Sequence, residues 1–87
     1  MKIKEGLILR KVGKEHVVMS TNSNTVNLNG MLILNDSGTF LFNCLKEEKT
    51  YEQLLQDFLN EYDIDKNTAS KDLDEFLNKL REKDLLL

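Results

Sequence analysis

The chain has 87 residues, of which 40% are apolar and 31% charged, with a formal net charge of −3. That length is one domain, residues 1–87, with a small core, since such a chain buries only about 60–65% of its unfolded surface. One cysteine excludes an intrachain disulfide and any multi-cysteine zinc or iron–sulfur site, and the negative balance speaks against nucleic acid as main partner, because phosphate neutralisation drives that affinity.

No apolar run reaches the ~18 residues of a membrane span. The charged start Met1-Lys2-Ile3-Lys4-Glu5 is not followed by the apolar region of a signal peptide. With one free thiol as well, the expectation is a cytoplasmic protein with no membrane association.

Residues 1–5 are expected to fray or to extend the first strand. Leu7 to Val12 is β-prone and ends at Gly13-Lys14, where glycine at the first central position suits a type II′ turn. His16 to Met19 is the return strand, and His16, the only histidine, reads as a partly exposed strand residue. Ser20 to Thr25 has loop composition. Val26 to Asn29 alternates apolar and polar residues and reads either as a short strand or as the approach to the third strand, Met31 to Leu34.

The third strand runs directly into a helix from about Asp36 to Leu45. Asn35 is its N-cap, Asp36 adds a favourable charge to the first turn, and Phe40, Leu41, Cys44 and Leu45 form one face. Cys44 reads as a small hydrophobe on that face. Gly38 in the first turn costs helix propensity, for which a close contact is the expected reason. After the charged connector Lys46 to Lys49, Thr50-Tyr51-Glu52-Gln53 is a capping box. The helix it starts carries Leu54, Leu55, Phe58, Leu59 and Tyr62 at helical spacing. Asp65 caps a third, longest helix, about Lys66 to Lys83, with an apolar stripe of Ala69, Leu73, Phe76, Leu77 and Leu80. Leu85 to Leu87 is expected to pack back on the core or to add a short extension.

The predicted fold is therefore α+β and winged-helix-like: a three-stranded antiparallel sheet followed by three helices. Chemistry is missing from the pattern. Asp72, Asp74 and Glu75 read as a solvated helix face, the four glycines are dispersed rather than gathered into a phosphate loop, and Ser20, Ser23, Ser37 and Ser70 have no histidine at a motif spacing. The chain is not expected to be an enzyme, nor to need a metal or cofactor. A winged helix that reads DNA would want a basic third helix, yet Lys66 to Asp84 holds five basic and five acidic residues. The edge of the small sheet is the other usable surface, able to accept an extended peptide as a further strand.

The run Leu34-Asn35-Asp36-Ser37-Gly38-Thr39-Phe40-Leu41-Phe42 resembles the start of the first helix in the PqqD-like family, the stand-alone form of the RiPP recognition element. Thr50-Tyr51-Glu52-Gln53-Leu54 resembles that family's capped second helix. Tyr62-Asp63-Ile64-Asp65 with Ala69, Asp72-Leu73, Phe76-Leu77 and Leu80 resembles its third, and Leu85-Leu86 its apolar finish. One departure is Lys66, where the family often has a proline.

The resemblance implies a non-catalytic peptide chaperone. It would bind the leader segment of a ribosomally synthesised precursor peptide and present it to a modifying enzyme, often a radical SAM maturase whose cofactors are its own. The leader adds beside the third strand, which puts Leu32, Ile33 and Leu34 on the pairing edge, and rests against the third helix. On that helix the expected flank is Ser70, Asp74, Leu77 and Arg81 at i, i+4, i+7, i+11, with Leu73 beside them. The opposite flank, with Asp72, Phe76 and Lys79, is the rival. The readings from other classes are a winged-helix DNA-binding transcriptional regulator, and a dimerisation or interaction subunit using the same edge. As a peptide adaptor the chain is expected to be a monomer or weak homodimer.

Overall fold

A computed structural model describes residues 1–20 and 32–87. Ser20, read from the sequence as the start of the polar loop, instead ends β2, where it pairs with Leu7. The rest of that loop from Thr21, the Val26 to Asn29 segment and Met31 lie outside the described residues. The fold is α+β, as the sequence predicts: β1 (Leu7–Val12), β2 (Glu15–Ser20) and β3 (Leu32–Leu34), then α1 (Asp36–Cys44), α2 (Tyr51–Glu61) and α3 (Lys66–Glu82). The sheet is antiparallel in the order β1-β2-β3. Val12 pairs with Glu15 across the two-residue turn, and the positive φ of 64° at Gly13, not shared by Lys14, fits the type II′ hairpin.

Register decides which face of each strand meets the helices. Val18 lies opposite Leu32 and His16 opposite Leu34, so Leu9, Val18, Leu32 and Leu34 share one face with the core. Ile33, opposite Val17, is on the other face and stays 50% exposed. Successive strand side chains alternate faces, which is why a continuous apolar run of three gives two core residues and one outward residue.

Each helix starts where its cap predicts. Asn35 Oδ1 accepts the Gly38 N–H at 2.8 Å and the Ser37 hydroxyl at 3.0 Å. Both bonds of the capping box form: Gln53 N–H to Thr50 Oγ1 at 3.1 Å, and Thr50 N–H to Gln53 Oε1 at 3.0 Å. Asp65 accepts the Thr68 N–H at 2.8 Å. The five residues of the α3 stripe are all buried, as are Leu54, Leu55 and Phe58 of α2.

The α1 face differs from expectation. Leu41, Phe42 and Leu45 are buried, whereas Phe40 and Cys44 are only partly so. Phe40 instead meets Tyr62 edge-on at a centroid separation of 5.7 Å, and Phe58 meets the same ring at 5.4 Å. Burial, ahead of the nearby Asp57 carboxylate, raises the pKa of the Cys44 thiol.

Residues 1–5 do not fray. The Ile3 N–H donates to the Leu45 carbonyl and the Lys4 N–H to the Leu85 carbonyl, both at 2.9 Å, and Ile3 bridges Leu86 while its side chain enters the core. Two apolar segments distant in sequence thus complete each other. Leu85 reaches this position because α3 ends in a Schellman turn. The Leu85 N–H bonds back to Leu80 at 2.8 Å and the Asp84 N–H to Arg81 at 3.0 Å, with Asp84 left-handed at φ 57°. Among the described residues no helix is long and apolar enough to cross a membrane.

Candidate functional site

The outer side of β3 pairs with no strand among the described residues. Beside it lies a groove of about 550 Å³, between β3, the start of α1 and the middle of α3. Its apolar surface comes from Ile33, Leu34, Leu41 and Phe76. The capping turn of α1 contributes Asn35, Ser37 and Gly38, so the helix that follows β3 directly forms one end of the cavity. The rim is charged: Lys14 and Glu15 from the hairpin, and Asp72, Glu75 and Lys79 from α3.

Gly38 has a structural reason to be glycine. A Cβ there would stand 3.2 Å from Asn35 Oδ1 and 3.3 Å from Leu34 Cδ2. The absent side chain lets α1 begin flush against β3, which keeps the strand and the groove floor together.

Of the residues singled out in the sequence, Ile33 and Leu34 line the groove. Leu32 lies in the same strand, but its side chain is buried on the core face. The flank of α3 that meets the groove carries Asp72, Glu75, Phe76 and Lys79. Ser70, Asp74, Leu77 and Arg81 lie on the other side of the helix. There the Tyr51 phenol, in the first turn of α2, donates to Asp74 Oδ1 at 2.8 Å, and Ser70 lies beside the same phenol. That bond to a carboxylate is the main cause of the raised pKa of Tyr51. Leu73 and Leu77 are buried in the core, and Arg81 is exposed, donating to Asn78 Oδ1 at 3.4 Å.

Which flank borders the groove follows from where α2 sits, which spacing along α3 does not reveal. Lys14 and Glu15 also escaped the sequence reading. The β2–β3 register brings them in, since His16 lies opposite Leu34 and so sets the hairpin turn beside the α1 cap. The groove offers features that suit an extended chain: strand backbone that is unpaired among the described residues, an apolar floor and a polar rim. Among the described residues no group of three or more His, Cys, Asp or Glu is placed to hold a metal ion.

Comparison with known proteins agrees with this architecture. A family model described as coenzyme PQQ synthesis protein D (PqqD) matches residues 15–86. A solved structure described as TbiB1 in complex with the TbiA(beta) leader peptide superposes with a TM-score of 0.73 and 27% sequence identity, covering 99% of this chain and 94% of that one. No curated protein matches.

Proposed function

Because the chain belongs to the family of coenzyme PQQ synthesis protein D, we propose that it binds the leader segment of a ribosomally synthesised precursor peptide. The leader adds to the sheet as a fourth strand along Leu32, Ile33 and Leu34. The chain acts as a single domain, in the cytoplasm, without catalysing a reaction itself, and presents the bound precursor to a modifying enzyme of the radical SAM class. The observation that carries this reading is the edge of β3, unpaired among the described residues, beside a groove with an apolar floor and a charged rim walled by α3. A structure similar over nearly its whole length was solved in complex with a leader peptide.

The physical division of labour is simple. Backbone hydrogen bonds to the edge supply affinity without regard to sequence, and the groove selects the side chains that alternate toward it. On α3 the groove-side residues are Asp72, Glu75, Phe76 and Lys79. The Ser70–Asp74–Arg81 side, tied to α2 through Tyr51, takes no part in this proposal.

The test is a titration of the isotope-labelled protein with synthetic leader segments of short reading frames encoded beside its gene, followed by amide shifts. Shifts are expected in residues 32–34 and around Phe76 and Lys79. Shifts gathered instead around Ser70, Asp74 and Arg81 would move the site to the other flank. No shifts with any of the segments at high concentration would remove the proposal. The enzyme partner is tested separately, by asking whether modification of the precursor by the neighbouring maturase requires this chain.

A further inference from the structure

The five charged residues of the groove rim are unpaired, as are most exposed charges among the described residues, and what sets them apart is their place around one cavity. Lys4 pairs with Asp84, Lys49 with Asp57, and Asp74 accepts from Tyr51. Lys14, Glu15, Asp72, Glu75 and Lys79 make no ion pair or side-chain hydrogen bond among the described residues. Glu75 and Lys79 have the i, i+4 spacing at which a helix readily forms a pair, yet they lie beyond 4.0 Å of each other. The uncommitted charges line the one cavity for which a peptide occupant has been argued.

Their order along α3 is informative. Asp72 and Glu75 come first, Phe76 lies between, and Lys79 follows. Asp72 and Lys79 are about 10.5 Å apart along the axis at 1.5 Å per residue. Side chains on one face of an extended strand recur every second residue, so positions i and i+4 span about 13.6 Å. The flexible stem of Lys79 can absorb the ~3 Å difference. Lys14 and Glu15 adjoin one another with opposite signs and add no net charge at the hairpin end.

Building on the peptide-binding reading, we infer that the strand filling this groove carries a basic–x–apolar–x–acidic face. Its basic residue stands opposite Asp72 and Glu75, its apolar residue over Phe76, and its acidic residue opposite Lys79. The charge order sets the direction in which the strand lies along α3. These groups are solvent-exposed, so each pair contributes selectivity more than affinity, about two- to fivefold in Kd.

The experiment is a selection of short displayed peptides, randomised at every position, on the full chain. Asp72→Lys/Glu75→Lys and Lys79→Glu variants are run in parallel, with circular dichroism confirming that each is folded. The wild type is expected to enrich the basic–x–apolar–x–acidic spacing. The double variant should enrich an acidic residue at the first position and the Lys79→Glu variant a basic one at the last, each keeping the apolar centre. A peptide selected on the wild type should lose about two- to fivefold in affinity for each reversed pair, and swapping its matching residue should restore binding. Binders that shift the amides of Ile33 and Phe76 but show the same charge usage on all three proteins would overturn the charge code while leaving peptide capture standing. No enrichment over an unrelated control protein would overturn both.

Discussion

Replacing Gly38 by alanine tests how β3 is fastened to α1. On helix propensity alone, alanine gains about 1 kcal/mol over glycine. The structure opposes that gain. The new Cβ would stand 3.2 Å from Asn35 Oδ1, 3.3 Å from Leu34 Cδ2 and 3.4 Å from Leu34 Cβ. Leu34 Cβ is fixed by the strand backbone and cannot withdraw, so the cap oxygen must yield. That oxygen holds the Gly38 N–H at 2.8 Å. Weakening the cap costs about 1 kcal/mol, and crowding Leu34 costs about another 1 kcal/mol or more. The balance is a loss of about 1 kcal/mol, which lowers Tm by roughly 4–8 °C in a chain of this size. The assay is thermal and urea unfolding of Gly38→Ala in the wild type and in an Asn35→Ala background. With the cap already gone and the crowding oxygen removed, the Gly38→Ala cost should shrink toward zero or change sign. A rise in Tm in the wild-type background, or an equal cost in both, would refute the reasoning.

Asp84→Gly and Asp84→Ala both lose the exposed pair with Lys4, but only glycine accepts φ 57° without strain, so the glycine variant should be the more stable by about 1 kcal/mol in urea unfolding. The Thr68 backbone N–H, and after it the Thr68 hydroxyl, hold the Asp65 carboxyl below its ordinary 3.8. A depressed folded pKa means stability that is present above 3.8 and lost as pH falls through the folded value. Asp65→Asn should therefore flatten the acid limb, seen by comparing unfolding at about pH 5 and about pH 3. Ile33→Asp should cost about 1 kcal/mol of stability, because half the side chain is already exposed, while weakening peptide binding at least about tenfold by fluorescence anisotropy. Leu77→Asp makes the contrast: that side chain is 1% exposed, so the charge should abolish the folded circular dichroism signal itself.

Local signals carried most of the architecture. Asn35, Thr50 with Gln53, and Asp65 each announce a helix within its first turn, and the α3 stripe repeats at a period that only a helix buries. What escaped depends on contacts between distant segments. Ile3 looks like a fraying end until Leu86 is placed beside it. Phe42 falls outside the i, i+1, i+4, i+5 face of α1, yet it is fully buried. For the candidate site, Ile33 was legible as the middle of an apolar run in a period-two element. Which flank of α3 borders the groove was not, since both flanks border the same stripe and the Tyr51–Asp74 bond shows which one faces α2. Glu75, Lys14 and Glu15 needed the tertiary arrangement as well.

The groove and the core share residues, and this constrains how such a site can change. Leu34, Leu41 and Phe76 line the cavity and are also members of the buried cluster. Truncating one of them to alanine should cost about 2–5 kcal/mol, a large part of the roughly 5–15 kcal/mol that holds a domain folded. The rim residues Lys14, Glu15, Asp72, Glu75 and Lys79 are exposed and unpaired among the described residues, so exchanging them should change stability by no more than about 0.5 kcal/mol. Affinity from the β3 edge needs no particular side chain. On the proposed reading, such a domain can change which strand it accepts through its rim alone, while the floor and the edge of the proposed site stay bound to the requirements of folding.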